Sequence, residues 1–397
     1  MARFDPGRSR EHARRGAELT RQGRYDQALG EFDAALRADP EYAQAYNGRG
    51  CVLVRLGQYE RALIDLDRAL RLDARLKAAY LNRAAAYSGL GQYEQALEDC
   101  DAVLRLDPND AAAYHNRGRA SFALGQADRA LADLSEAAHL DPHNPAIRLS
   151  RGAACARLGL YDLAAREFEE SVRLDPSNLA ALAGLGDAYD HLGQPGAALR
   201  AYDAALRLHP AEADLYARRA EARRALGAWE DAVADQTTAL RLAPHREDLL
   251  VSRGWALLVL GREGAEADAR AYLDRRGWGD AYAPFMALLG HFGARRAGRE
   301  AEARRFLDEA LANLPPAVWP GPALRYLRRE ISLAALLAAA DAAGAPSEAR
   351  LVLGLDRLLS GDRPGALAAL HQAADRGTPG SAARDIARGL LRHLGTL

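Results

Sequence analysis

A glycine returns every 34 residues along this chain, at Gly23, Gly57, Gly91, Gly125, Gly159, Gly193, Gly227 and Gly261. A proline keeps the same step from Pro108 through Pro142, Pro176 and Pro210 to Pro244. A period of 34 with this punctuation is the length of one helix–turn–helix brick, too small to bury its own apolar face and obliged to stack on its neighbours. Such a stack grows linearly, so 397 residues need no single large core. Recognition is then expected on an extended surface rather than in a pocket of clustered catalytic groups.

Residues Tyr80 to Pro108 read as the clearest brick. Gly91 closes the first helix, because the chain reverses there and only glycine enters the left-handed region without steric cost. Ala84 and Ala96 are small where the two helices cross, while Tyr80, Tyr87, Leu97 and Leu104 fill the layers between bricks. Pro108 stops the second helix. The small crossing residue returns as Gly16, Gly50, Gly118, Gly152, Gly186, Ala220 and Gly254, opposite Ala28, Ala62, Ala130, Ala164, Ala198 and Ala232.

Small, aromatic, turn and proline positions together resemble the tetratricopeptide repeat family over residues 9–275, in eight units. The resemblance implies an all-α fold, a right-handed superhelical α-solenoid of tandem helix-turn-helix repeats. Residues 1–8 are expected to be an N-terminal tail, and residues 276–397 a degenerate helical extension ending in a capping helix from Ser381 to Leu397. In that extension Arg299 to Pro315 reads as a second helix stopped by Pro315-Pro316, and Pro346 to Gly377 recovers a full unit, with Gly354 at the crossing and Gly361 at the turn. Trp319-Pro320-Gly321-Pro322 must break the stack, with Trp319 docked as an apolar plug. The order of elements over residues 278–380 resembles the C-terminal region of bacterial tetratricopeptide lipoproteins that act as adaptors for envelope peptidases and peptidoglycan hydrolases.

An arginine stands eight residues before the turn glycine in seven of the eight units, at Arg15, Arg49, Arg83, Arg117, Arg151, Arg219 and Arg253. An acid stands eight after it at Glu31, Asp65, Asp99, Asp133, Glu167 and Asp235, with Asp268 supplying the eighth unit across a one-residue deletion. The sixth unit lacks both, having Leu185 and Ala201. Joint loss predicts that the two side chains pair between the helices of one unit, as a structural ladder rather than a ligand site.

Bulk properties exclude several functions. The net charge of −1 argues against a chain built to coat nucleic acid or an anionic membrane. Nearly every basic residue is arginine, Lys77 being the one lysine, a bias read as that of a GC-rich bacterial genome. Cys51, Cys100 and Cys155 form no disulfide framework and read as small apolar residues. The first residues carry no apolar run or lipid-attachment cysteine, and no stretch is long enough to span a bilayer, so a cytoplasmic protein is expected.

Motifs for chemistry are missing from the sequence. There is no phosphate loop, no His-Glu-x-x-His, and Gly184-Leu185-Gly186 lacks the third glycine and the preceding strand of a dinucleotide site. His139 and His143 are separated by Pro142, which breaks the helix a shared metal would need. The reading is therefore of no cofactor, no metal and no catalytic residue.

First helices should line the concave face, where the residues ten, nine, six, three and two before each turn glycine point into the groove. This offset selects Arg14 and Arg21, then Asn47, Leu81 and Asn82, then His115, Asn116, Arg119 and Phe122. Further along it selects Asp187, Asp190 and His191, then Arg218, Glu221 and Arg224, and finally Trp255. Amides can pair with both groups of an extended peptide backbone, Arg119 and His115 suit a carboxylate, and Phe122 suits an apolar side chain. Tyr80-x-Asn82-Arg83-Ala84 resembles repeats of co-chaperones that clamp a C-terminal carboxylate, but Ala13 and Ala17 replace the lysine and asparagine of that clamp. The expected function is a non-enzymatic scaffold holding a protein or peptide partner in its groove. The alternatives are an adaptor of a peptidase or cell-wall enzyme, and an enzyme subunit with activity in the C-terminal third. Self-association through the end faces follows from the same stacking.

Overall fold

The computed structural model describes residues 5–314, 318–378 and 381–396. Every regular element among the described residues is an α-helix, and the chain divides into two compact units, Met1–Leu192 and Gly193–Leu397.

The first unit holds α1 (Pro6–Arg21), α2 (Tyr25–Ala38), α3 (Ala43–Arg55), α4 (Tyr59–Leu72), α5 (Lys77–Gly89) and α6 (Tyr93–Leu106). It continues with α7 (Ala111–Ala123), α8 (Ala127–Leu140), α9 (Pro145–Arg157), α10 (Tyr161–Leu174) and α11 (Leu179–His191). Helix α1 begins at Pro6, inside the segment expected as a tail. Proline suits the first helical turn, and the Asp5 carboxylate accepts the Arg8 N–H at 3.0 Å. Each hairpin turns as the glycine period predicts: at Gly91, φ is +74°, and the next N–H, from Gln92, donates back to the Tyr87 carbonyl at 2.9 Å.

The helix crossing differs in one respect from the expectation. Ala28, Ala62, Ala130 and Ala164 are fully buried, yet the crossing glycine makes room for the bulky residue sixteen positions on rather than for the alanine alone. A Cβ on Gly50 would come within 2.7 Å of Leu66, and one on Gly118 equally close to Leu134. Glycine is needed because a large side chain lies against the backbone. Successive first helices, α1, α3, α5, α7, α9 and α11, approach one another, whereas the second helices make no comparable approach. First helices therefore form the crowded inner layer of this unit.

The second unit holds α12 (Pro195–Leu208), α13 (Ala213–Ala225), α14 (Trp229–Leu242), α15 (Glu247–Leu260), α16 (Ala265–Arg276) and α17 (Ala283–Arg296). Then come α18 (Glu300–Asn313), α19 (Gly321–Leu327), α20 (Leu333–Ala342), α21 (Pro346–Leu359), α22 (Arg363–Arg376) and α23 (Ala382–His393). Helix α17 is buried along most of its length, from Ala283 through Ala294. Trp319 is half-buried against the core of this unit, as the plug reading expects, and α19 starts at Gly321 with Pro322 in its first turn. The Pro315-Pro316 stop lies outside the described residues. Gly354 again crosses under a leucine, Leu370, and Gly361 turns at φ +83°.

Helix α23 departs from its expected role. It packs on α21 and α22, but it also returns to α15. A Cβ on Gly389 would meet Trp229 at 2.5 Å and Val259 at 3.0 Å, and Asp385 pairs with Arg224 at 3.3 Å. Rather than covering only the last hairpin, α23 closes the unit on itself, because its buried Ile386, Leu390 and Leu391 form one continuous apolar face.

Candidate functional site

The inner layer of the first unit carries a row of polar pairs in a fixed register. The residue ten before one turn glycine meets the residue nine before the next: Asn82 Nδ2 donates to Asn47 Oδ1 at 2.9 Å, and His115 Nε2 shares a hydrogen bond with Ser150 Oγ at 3.0 Å. Between these two pairs the same register sets Leu81 opposite Asn116, and Leu81 has nothing to offer an amide. Among the described residues Asn116 makes no side-chain hydrogen bond, although it is half-buried. The two amides expected to act alike are thus different. Asn82 is partly committed to its neighbour, and Asn116 keeps both donors and its acceptor.

Two exposed cations lie on α7 and α9 in this part of the layer. Arg119, one turn further along α7 than Asn116, is exposed and has no acidic partner among the described residues. Arg157, on α9, is likewise exposed and lies over the Phe122 ring at 5.9 Å from its centroid, so the two residues present a mixed aromatic and cationic surface. His115 does not join them as a cation. Burial and the nearby Arg119 charge pull its pKa down from 6.5 to about 4, so near pH 7 it would meet a carboxylate as a neutral hydrogen-bond donor rather than as a cation.

The remaining groove positions are dispersed. Arg14 is exposed on α1, and Arg21 pairs with Glu18 at 2.7 Å. Asp187 and Asp190 are half-buried on α11, where His191 stacks flat on Tyr161 with ring centroids 4.1 Å apart. In the second unit Arg218 is exposed, Glu221 is engaged by Arg224 at 2.6 Å, and Arg224 also binds Asp385 of α23.

The arginine ladder forms, with a second rung that the sequence reading missed. Arg83 holds Asp99 through Nε at 2.9 Å and Nη2 at 2.6 Å, and reaches back with Nη1 to Asp67 of the preceding repeat at 2.6 Å. Arg49, Arg117 and Arg219 repeat this with Asp65 and Asp33, Asp133 and Asp101, and Asp235 and Asp203. The signal was present: an aspartate ten residues after the turn glycine at Asp33, Asp67, Asp101 and Asp203. Each guanidinium also lies over a tyrosine three residues earlier, at 5.3–5.7 Å for Tyr46, Tyr80, Tyr114 and Tyr216. Bound carboxylates push these arginine pKa values up, while burial pushes Asp99 up. Arg253 finds Asp268 despite the deletion, at 2.6 Å. The first repeat is the exception: Arg15 pairs with Glu11 on its own helix, and Glu31 binds His12 instead.

Among the described residues no group of three or more His, Cys, Asp or Glu is placed to hold a metal ion, and no helix is long and apolar enough to cross a membrane. The cysteines are free, and burial pushes the Cys100 thiol up to about 12, which removes it as a nucleophile.

Comparison with known proteins agrees with this architecture. Tetratricopeptide repeat models match residues 14–77, 48–111, 84–151, 149–213 and 183–247, an unbroken run over more than half of the chain. No curated protein matches. Solved structures of similar fold include a tetratricopeptide repeat protein from Parabacteroides merdae (23% identity, 61% of this chain and 95% of that chain, TM-score 0.45). Others are pilF of Pseudomonas aeruginosa (20%, 51% and 92%, 0.47) and YrrB, described as a TPR protein with an unusual peptide-binding site (26%, 45% and 92%, 0.37). Repeats of this kind mediate protein–protein interaction, and the chain belongs to the tetratricopeptide repeat family.

Proposed function

We propose that the inner layer of the first unit holds an extended peptide of a partner protein, centred on α7 and its neighbours α5 and α9. One observation carries the reading: Asn116 is an uncommitted amide, with Arg119 one turn along α7 and Arg157 over the Phe122 ring, two cations without acidic partners among the described residues. An amide donates to and accepts from a peptide backbone, and guanidinium groups recognise carboxylates in a planar, two-pronged geometry. The ligand chemistry is accordingly an acidic segment, with an apolar side chain on Phe122. The reading is of a scaffold and assigns the chain no reaction of its own.

The test is affinity capture with the full chain against a displayed library of short peptides. Acidic sequences are expected to be enriched. Asn116→Leu combined with Arg119→Gln is expected to remove them, because it deletes the amide and one cation while leaving the buried ladder intact. Asn82→Leu is expected to weaken capture less. Enrichment that ignores charge, or that survives the double substitution with unchanged helicity, removes this face from the function.

A further inference from the structure

In the second unit, the closure by α23 leaves a cavity of about 450 Å³. This is within the range of small-molecule sites, roughly 300–1,000 Å³. Leu358 and Leu359 end α21, Leu390 and Leu394 lie on and just beyond α23, and all four line the cavity with two guanidinium groups from the end of α17, Arg295 and Arg296. Exposed His393 also lines it, and among the described residues no acidic side chain does.

The two arginines are in different electrostatic states. Arg295 is 13% exposed and is held by Asp356 at 2.7 Å and by the Ser360 hydroxyl at 3.2 Å. Arg296 is half-buried with no acidic partner and no hydrogen bond among the described residues. Its guanidinium lies against Gly261, at the C-terminal end of α15. That helix end supplies about half an elementary charge of opposite sign, which leaves the cation incompletely compensated. Burial pushes the Arg296 pKa down, the reverse of the ladder arginines, whose carboxylates push theirs up. A guanidinium partly withdrawn from water without a counter-charge destabilises the fold, and a bound anion would remove that cost.

We propose that this cavity binds a small aliphatic monocarboxylate, with its carboxylate on Arg296 and its chain among Leu358, Leu359, Leu390 and Leu394. The anion completes the charge-assisted pairing that every ladder arginine already has, and the tail takes apolar surface out of water. The site is in the second unit and stands independently of the peptide reading for the first.

The experiment is calorimetric titration of the full chain with octanoate, using octanol and octylammonium as probes with the same tail. Octanoate is expected to bind, and the other two to bind about tenfold more weakly or worse. Arg296→Met keeps the aliphatic stem and removes the unpaired charge, so it is expected to keep helicity, to melt no lower than the unsubstituted chain, and to weaken octanoate about tenfold or more. Arg296→Lys keeps the charge but loses the planar fork, so it is expected to bind octanoate more weakly than the unsubstituted chain and more tightly than Arg296→Met. If the methionine variant fails to fold, Leu359→Gln, which keeps the arginine, carries the same expected loss. Equal binding of octanoate and octanol overturns the proposal, as does unchanged affinity in these variants or no binding at millimolar octanoate. Tighter binding of a peptide ending in a free leucine carboxylate would reassign the cavity to a chain terminus and overturn it too.

Discussion

In the first unit, buried residues gather in small clusters confined to one or two hairpins, around Phe32, Leu66, Cys100, Leu134 and Ile147. In the second, one cluster runs from Trp229 to Leu391 and takes in residues of nearly every helix from α14 onward. Both are made of helical hairpins, so the contrast comes from sequence pattern rather than from element type. A strict 34-residue period gives each brick the same two neighbours and stability becomes a sum of local terms, whereas the aperiodic helices of the second unit let α23 reach back to α15. The boundary between the units falls inside the sixth repeat, the one that lacks the arginine–acid pair, with Leu185 on α11 and Ala201 on α12.

The largest expected effect tests this difference directly. Phe292→Ala in α17 empties a site that is 0% exposed and is expected to cost about 3–5 kcal/mol, and Leu134→Ala in α8 about 2–5 kcal/mol. Their reach should differ more than their size. Amide exchange is expected to rise together across α15–α23 for Phe292→Ala, and only across α7–α10 for Leu134→Ala. Similar spreading in both variants would break the comparison.

A smaller effect concerns the ladder that runs through the periodic part. Each rung has an inner acid and an outer one: Asp99 is 5% exposed and Asp67 41%. Arg83→Met strands both, and the buried carboxylate dominates the cost. Because burial already raises the Asp99 pKa, the stranded group can take up a proton, which limits the loss to about 2–3 kcal/mol. Asp67→Ala, which removes only the outer contact, is expected to cost at most about 1 kcal/mol in the same thermal melts. Equal losses would show that the inner and outer acids do not differ as their burial requires.

Most of the periodic architecture was legible in the residues because turn glycines, crossing glycines and ladder arginines are local requirements that recur. Gly91 needs a left-handed backbone and Gly50 a close approach, and each requirement is visible within one brick. Contacts that join distant positions were not legible. Nothing near Asp385 in the sequence announces Arg224, 161 positions away, and the closure by α23 depends on that kind of pairing. The candidate site was legible as a set of offsets but not in its chemistry. The offset marks Asn82 and Asn116 alike, and only the identity of the residue opposite, Asn47 in one case and Leu81 in the other, separates them. The charge state of His115 was not legible for a related reason, since it depends on burial and on Arg119.

The smallest expected effect is acid sensitivity, and here each unit has one comparable group. His115 in the first unit and His291 in the second are both pulled from 6.5 to about 4 by burial. A base whose folded pKa is depressed contributes stability above its unfolded pKa and loses it as the pH falls through the folded value, so the window runs from about 6.5 down to about 4. Partial exposure of His115 discounts its share, and a loss of about 1–2 kcal/mol is expected for the first unit. His291 is 4% exposed, its Nδ1 is 2.9 Å from the Ala303 carbonyl, and its Nε2 has no partner, so a second proton there would add a buried N–H with no acceptor. Asp99 and Asp268, whose pKa values are raised by burial, act in the opposite sense, because their contribution is present below the unfolded carboxylate pKa and is lost as the pH rises through the folded one. His115→Gln and His291→Gln, melted at pH 7 and at pH 4.5, separate the units: each substitution is expected to flatten the acid loss of its own unit and leave the other unchanged. A His291→Gln variant that retains the full loss in the second unit would place the acid response on carboxylates whose pKa values are lowered there by their partners, such as Asp248 beside Arg246 and Asp280 beside Tyr272, because Asp268 acts in the opposite sense.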